Sequence, residues 1–211
     1  MFQDKNFTEA IKYYTIIYEA KGKQTEPYVL AGLAVSYSMN GQNREAINAL
    51  HNALRICQEN PKYENDFYDI YTLLATCHEL LNEYEESITN LKLSAKYALD
   101  EKSLSSTYMQ VAMKTNDYDE AIEYFDMAID IYKSLARRNM LDSKDKYQFS
   151  TAYISKSRLQ INKERYQEAY ETLTDMQDVL GLFESEDFFN QHAKLLAIGL
   201  EICYRKLGVK H

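Results

Sequence analysis

The sequence predicts an all-α fold in which antiparallel helix pairs stack as an α-solenoid, and three observations carry this prediction. A motif of a polar turn, an aromatic, an acidic, a small and an apolar residue recurs along the chain, most fully at residues 116–125. Apolar residues accompany the copies at helical spacing. The 211 residues include only six glycines and two prolines, with no Gly/Ser-rich linker. Such self-similarity is the signature of a repeat array, so we expect a single repeat domain over residues 1–211.

The small residue of the motif sets the register of the repeats. It falls at Ala10, Ala46, Ser87, Ala121 and Ala169, at intervals of 36, 41, 34 and 48 residues. Upstream of it, the copies carry matching positions: Leu30, Leu33 and Tyr37 before Ala46, and Tyr71, Leu74 and His78 before Ser87. This pattern, with a period near 34, resembles the tetratricopeptide repeat family over about residues 1–177. The resemblance implies a right-handed superhelix, and we expect a C-terminal capping helix beyond it.

The register divides the chain into five helix pairs, the first of them incomplete, and one further helix. The repeats are predicted at about residues 1–20, 26–58, 66–99, 103–139 and 147–180, and the terminal helix at about 185–207. The residues inserted before the fifth pair predict a long helix, a polar break at 139–145 and a new helix from Tyr147.

The first repeat consists of little more than its second helix, from Asn6 to Tyr18. Its apolar face, at helical spacing, would lack a covering partner. We therefore expect either that the chain is a piece of a longer protein or that another chain covers this face. The residues of the face are Phe7, Ile11, Tyr14 and Ile17.

Helix ends are predicted from caps and breakers. Thr25 can cap the helix that begins at Pro27, because proline is tolerated in a first turn. Gly41 belongs to the turn of this pair. The partner helix ends before Pro61, because the residue before a proline disfavours helix. Gly181 is expected to stop the last paired helix.

Composition and charge exclude several classes of function. The net charge is −8 and the pI is about 5.1, whereas a nucleic-acid surface needs a basic stripe. No run approaches the roughly 18 apolar residues of a membrane span, and the first residues do not form a signal peptide. Cys57, Cys77 and Cys203 lie far apart, which favours buried free thiols in a reducing compartment. We therefore predict a cytoplasmic location without nucleic-acid or membrane contact.

Residues that could perform chemistry are sparse. The four histidines lack metal-ligand spacing, and no glycine-rich phosphate loop or HExxH motif occurs. His78 stands where these repeats usually carry tyrosine, so a packed, hydrogen-bonded side chain is expected. Acidic pairs at 85–86, 119–120 and 184–187 are assigned to helix starts, where they complement the helix dipole. We predict no enzyme, no cofactor and no metal.

The family resemblance implies that the first helix of each pair lines a concave groove. The implied lining is rich in hydroxyls and amides, which can hydrogen-bond the backbone of an extended peptide. The alternative is that these are simply exposed polar positions of helices. The implied groove residues are Tyr28, Val35, Met39, Asp69, Thr72, Thr76, Glu79, Ser106, Thr107, Gln110, Met113, Thr151, Ile154, Arg158 and Asn162.

A carboxylate clamp like that of chaperone-binding members of the family is not supported. Where those members carry Lys, Asn and Arg residues, this chain has Ala31, Val35 and Leu73.

The function predicted from the sequence is a non-enzymatic module that binds a protein or peptide segment in its groove, as a scaffold or regulatory domain. One alternative is the sensor domain of a bacterial signalling or transcription regulator that responds to a peptide, because the irregular repeats also resemble the Rap and PlcR-like families. A second alternative is a structural array that self-associates, for example as a homodimer through an uncovered end.

Overall fold

The computed structural model describes residues 3–22, 25–183 and 187–208, and these residues form ten α-helices and no strand. The all-α class predicted from the sequence is confirmed. The helices are α1 (Gln3–Lys21), α2 (Pro27–Met39), α3 (Asn43–Glu59), α4 (Asp66–Leu80), α5 (Tyr84–Lys96), α6 (Glu101–Lys114), α7 (Tyr118–Arg137), α8 (Ser143–Asn162), α9 (Tyr166–Leu180) and α10 (Phe189–Leu207).

The helices pair as hairpins in the predicted register: α2 with α3, α4 with α5, α6 with α7, and α8 with α9. They belong to two compact units, residues 1–99 (unit 1) and 100–211 (unit 2). Each unit has its own apolar core. The core of unit 1 includes Leu30, Leu50 and Leu74, whereas that of unit 2 includes Phe125 and Tyr153. The single-domain assignment and the repeat boundaries stay predictions.

Three of the four hairpin turns use the same left-handed backbone position. Gly41, Asn82 and Glu164 each lie five residues before the small residue of their repeat, and their φ angles are 78°, 60° and 58°. A glycine adopts such a φ without strain, whereas Glu164 does so against a steric penalty. The turn is therefore a property of the repeat and not of one amino-acid type.

Several predicted helix ends differ from the observed ones. Thr25 does not cap α2, because its hydroxyl donates to the carbonyl of Gly22 at 2.7 Å and Glu26 occupies the cap position. Helix α9 does end at Leu180 with Gly181 at its C-cap, as predicted, but the φ of Gly181 is −58° and the chain continues as one 3-10 turn. Helix α8 begins at Ser143, four residues before the predicted start.

The early start of α8 has a local cause. The Asp142 carboxylate accepts a hydrogen bond from the Asp145 backbone N–H at 2.9 Å, and the Asp145 carboxylate accepts one from the Asp142 N–H at 3.0 Å. This reciprocal capping box fixes the first turn of the helix. The terminal helix α10 begins at Phe189, and part of the predicted acidic stretch, residues 184–186, lies outside the described residues.

Helix α1 covers part of unit 1. Its Ile11, Tyr14 and Tyr18 pack against the core of that unit, so the predicted uncovered face is half-buried. Gly32 on α2 makes this contact possible, because a Cβ there would lie 2.6 Å from the Tyr14 ring. The apolar side chains that α1 exposes are instead Tyr13 and Ile16, at 66% and 65%.

The three cysteines are free and buried, as predicted. Burial raises the pKa of the Cys57 thiol to about 11, and it also raises the pKa of Cys77 and Cys203. No helix in the part of the chain that the structure describes is long and apolar enough to cross a membrane.

Candidate functional site

The first helices of the hairpins, α2, α4, α6 and α8, form what we call the first-helix face of each unit. On α2, Tyr28, Val35 and Met39 are 62%, 42% and 58% exposed. They share one side of a 13-residue helix that contains no charged side chain. Exposing several large apolar side chains on one side of a helix to water is unfavourable, and a contiguous apolar surface of this kind often marks an interaction site.

In unit 1, α2 and α4 flank a concavity of about 120 Å³, which we call the α2/α4 patch. Its walls are apolar or weakly polar, and the buried Leu50 of α3 forms its floor. Three of the predicted groove residues, Val35, Met39 and Thr76, meet here. The remaining lining residues are Ala34, Ser38, Leu73 and Cys77.

In unit 2, α6 and α8 flank a concavity of about 250 Å³, which we call the α6/α8 patch. The buried Phe125 of α7 forms its floor, and Arg158 and Asn162 stand exposed on its rim. The Arg158 guanidinium is in no ion pair with a residue that the structure describes. Three predicted groove residues meet here, Met113, Arg158 and Asn162, and the other lining residues are Ala112, Thr115, Ser155 and Leu159.

The two patches occupy the same register positions of their repeats. The floor residues Leu50 and Phe125 both lie four residues after the small residue of the motif. Thr76 and Arg158 both lie eleven residues before the next one, Ser87 or Ala169. The repeat therefore builds one kind of concavity twice, with apolar walls in unit 1 and a cationic, polar rim in unit 2.

Nine predicted groove residues lie outside both patches. Seven of them are at least partly exposed on the first helices: Tyr28, Asp69, Thr72, Glu79, Ser106, Gln110 and Thr151. Thr72 is engaged within its own hairpin, since its hydroxyl lies 2.8 Å from the Ser94 hydroxyl and donates to the Tyr68 carbonyl at 2.9 Å.

The other two of the nine, Thr107 and Ile154, are buried, contrary to the prediction. Thr107 is fully buried, and its hydroxyl donates to the Ser103 carbonyl at 2.9 Å. Ile154 is buried in the core of unit 2. Neither side chain is therefore accessible to a ligand on the first-helix face.

The predicted groove residues also omit side chains that line the patches. Leu50 and Phe125 lie on second helices, so an assignment restricted to first helices could not include them. The equal spacing of both residues from the small residue of the motif was the available signal, because tetratricopeptide-type hairpins place that position between neighbouring pairs.

His78 is packed and hydrogen-bonded, as predicted. Its Nδ1 lies 2.8 Å from the Glu83 carboxylate, which also pairs with Arg44. Hydrogen bonds from His78, and to a lesser extent from Arg44, hold the pKa of Glu83 below its usual value. The acidic pairs at 85–86 and 119–120 lie in the first turns of α5 and α7, as predicted. Within the described ranges, no group of three or more His, Cys, Asp or Glu side chains is arranged to hold a metal ion.

Comparison with known proteins identifies the fold. A family model for the tetratricopeptide repeat matches residues 110–135, and no curated protein sequence matches the chain. The apo form of RapI is similar in structure with a TM-score of 0.70 at 14% identity, over 98% of this chain and 58% of RapI. BtubC from P. vanneervenii gives 0.68 at 16% identity, over 98% and 83% of the two chains. MamA gives 0.61 at 18%, over 83% and 89%. The predicted resemblance to tetratricopeptide repeats is confirmed.

Proposed function

We propose that this chain, with its tetratricopeptide-type fold, is a non-enzymatic binding module of the cytoplasm that holds a peptide or protein segment on its first-helix face. The observation that carries the proposal is the uncharged side of α2, where three large apolar side chains are exposed beside the α2/α4 patch. Burying one such side chain completely against a partner contributes about 1.5–3 kcal/mol.

The chemistry of the two patches indicates what each would accept. The α2/α4 patch offers apolar walls and a leucine floor, which suits an aliphatic side chain of the partner. The α6/α8 patch offers the Arg158 guanidinium and the Asn162 amide, which suit a carboxylate or a backbone carbonyl. Recognition of this kind combines apolar anchors with a few polar contacts that fix orientation.

Calorimetry and thermal-shift measurements against a pooled library of short peptides test the proposal. A peptide that stabilises the wild-type chain should lose most of its affinity in Met39→Gln if it binds unit 1, or in Arg158→Ala if it binds unit 2. Leu80→Gln is the matched control for Met39, because Leu80 is 55% exposed but lies outside the α2/α4 patch. Peptide affinity that is equal in Met39→Gln, Arg158→Ala and the wild type would contradict binding on the first-helix face.

A second candidate is the sensor portion of a peptide-responsive regulator, which is favoured by the fold likeness to RapI over 98% of this chain. This candidate differs from a scaffold in one measurable respect, namely that peptide binding must change the conformation of the chain. Hydrogen exchange with and without a peptide hit separates the two. Protection confined to the first-helix face supports a scaffold, whereas protection that spreads to the second helices supports a sensor.

Self-association is the third candidate, and the exposed Tyr13 and Ile16 of α1 are its observed basis. Light scattering over a range of concentrations tests it. A dimer that Ile16→Gln dissociates would support a structural array, whereas a monomer at high concentration would remove this candidate.

A further inference from the structure

Unit 2 has a second concavity, on the side of its second helices. Helices α7 and α9 flank a groove of about 330 Å³ whose floor is α8, and we call it the second-helix groove. It shares no lining residue with the α6/α8 patch. The groove is therefore a separate feature, and a ligand bound in it would not depend on the function proposed for the first-helix face.

The second-helix groove is lined by an excess of negative charge. Two lysines face five carboxylates, those of Asp126, Asp130, Glu168, Glu171 and Asp175. Lys156 pairs with Asp126, and Lys133 lies 3.5 Å from Asp175.

The other three carboxylates, those of Asp130, Glu168 and Glu171, pair with neither lysine of the groove. Glu168 accepts a hydrogen bond from the Tyr118 hydroxyl at 2.9 Å and lies 3.7 Å from Arg165, which does not line the groove. Glu171 accepts a hydrogen bond from the Gln167 amide at 2.9 Å. Asp130 is exposed and pairs with no cation among the described residues. The excess of carboxylates gives the groove a negative potential that favours a cationic occupant.

The floor adds a buried hydrogen-bond acceptor that has no donor among the described residues. Gln160 is 3% exposed, and its Oε1 has no hydrogen-bond partner among the described residues. Tyr153, 2% exposed, also lines the floor, and its hydroxyl lies beside the Lys133 ammonium. Burial raises the pKa of Tyr153, and the nearby Lys133 charge opposes this rise. Leaving a buried acceptor unsatisfied costs about 1–3 kcal/mol, so a donor in the groove would be favoured.

The unsatisfied acceptor of Gln160 is not found at the equivalent position of the repeat formed by α4 and α5. Gln160 lies nine residues before Ala169, and His78 lies nine residues before Ser87. At this shared position His78 has a partner, the Glu83 carboxylate at 2.8 Å. Gln160 therefore lacks a partner that its equivalent in unit 1 possesses.

The groove continues into a segment whose surface is mostly apolar. A neighbouring concavity of about 340 Å³ shares Lys133 and Asp175 with the groove, and it adds Ala136, Phe149 and Val179 together with the oppositely charged Arg137 and Asp178. An acidic, acceptor-rich end beside an apolar end matches a cation carried on an aliphatic stem, because such a stem packs on apolar surface while its charge stays in a polar region.

We propose that the second-helix groove binds an organic cation, an ammonium or guanidinium group on an aliphatic stem. The carboxylates pair with its positive charge, and the Gln160 Oε1 accepts one of its N–H groups. A guanidinium offers five donors in a planar fork and so can serve several acceptors at once. The cation can come from a free polyamine or from a Lys or Arg side chain of a partner protein.

Calorimetry on the full chain at low ionic strength tests the site with two probes. Agmatine represents a free amine, and N-acetyl-arginine amide represents a side chain of a partner. N-acetyl-citrulline amide, which has the same shape without the charge, is the neutral control and should not bind. Binding of both cations indicates recognition of the guanidinium in either source, and binding of agmatine alone indicates a free amine. Binding of neither cation would overturn the proposal.

Variants locate the binding. Asp130→Asn and Gln160→Leu should each weaken agmatine about tenfold, the change expected from losing one charged contact or one hydrogen bond to a charged donor. Glu123→Gln removes an exposed charge from the same helix outside the groove and should leave the affinity unchanged. An equal loss in Glu123→Gln and Asp130→Asn would show that agmatine responds only to net charge, which would overturn the proposal. Asp130 is exposed, so its variant keeps the test valid if Gln160→Leu folds poorly.

Discussion

At the scale of single residues, a small side chain at one register position lets the two helices of each hairpin approach. Ala46, Ser87, Ala121 and Ala169 are all buried, at 2% exposure or less. The Ser87 hydroxyl has no hydrogen-bond partner among the described residues. The position therefore requires small volume, and a hydroxyl there contributes no hydrogen bond.

We expect Ala46→Leu and Ala121→Leu each to destabilise the chain by about 1–3 kcal/mol, because extra methylenes overpack the hairpin. Ser87→Ala is the matched control, and it should leave stability unchanged or raise it, since it removes an unsatisfied hydroxyl. Urea denaturation measures all three variants. Wild-type stability in both leucine variants would show that the register is wrong.

We expect the buried His192 of α10 to make the stability of unit 2 depend on pH. Its Nδ1 lies 2.6 Å from the Ser150 hydroxyl, and its ring packs against Tyr147 and Phe188. Burial lowers the pKa of His192 below its ordinary value of 6.5. Just below that value, the unfolded chain binds more protons than the folded chain. The contribution of His192 is therefore fully present above about pH 6.5 and is lost as the pH falls toward the folded pKa.

We expect the loss of thermal stability between about pH 7.5 and pH 5.5 to be smaller in His192→Gln than in the wild type. His51→Gln is the control, because it removes a histidine that is exposed on α3. Parallel pH profiles for His192→Gln and the wild type would refute the role of His192.

At the scale of elements, the helices follow from periodicity, and their ends follow from local hydrogen bonds. The end of α9 at Leu180 and the start of α2 at Pro27 agree with the sequence prediction. The start of α8 does not, because the Asp142–Asp145 capping box lies in a segment whose polar composition indicates a loop. Caps depend on which side chain meets which backbone N–H, and composition alone does not determine that.

The left-handed turn position provides a prediction about hairpin stability. Glu164→Gly should stabilise unit 2 by about 1 kcal/mol, since the strain of a non-glycine residue at φ 58° exceeds the entropy cost of glycine. Asn116→Gly at the equivalent place is the control. Its backbone conformation is not left-handed, so glycine there should lower stability by about 0.5–1 kcal/mol. Thermal denaturation measures both variants, and a Glu164→Gly variant less stable than the wild type would contradict the argument.

At the scale of the whole molecule, each unit carries its own core, and this bears on the single-domain prediction. The core cluster of unit 2 runs from Met109 to Cys203, entirely within residues 100–211. Because repeat arrays derive their stability from neighbouring repeats, a part that keeps its neighbours can fold alone.

We expect residues 100–211, produced alone, to be helical and to unfold cooperatively in urea. Residues 100–165 are the control, because they lack α9 and α10 and leave Phe149 and Tyr153 without part of their packing. Circular dichroism follows both. If the chain is one array, residues 100–211 should melt at a lower temperature than the full chain. An unfolded 100–211 peptide would contradict an independent core in unit 2.

The candidate sites were predictable only in part, for a physical reason. Val35, Met39 and Arg158 follow from the register, because the register determines which side of a first helix they occupy. The burial of Ile154 depends on how α8 packs into its core, which spacing along one helix does not determine. The second-helix groove could not be predicted without the positions of the helices. Asp130 and Glu171 belong to separate helices, and in the sequence both resemble solvent-exposed surface residues.

The reactivity of the three buried cysteines reports local unfolding of the chain. A thiol reacts with an alkylating reagent as the thiolate, so a raised pKa and burial together protect it until its surroundings open. Cys57 and Cys77 report on unit 1, and Cys203 reports on α10. Mass spectrometry of labelling over time, read at each of these sites, would therefore give a separate opening rate for each unit without introducing any probe. The same measurement, repeated with a bound peptide or cation, would show which unit the ligand protects from local unfolding.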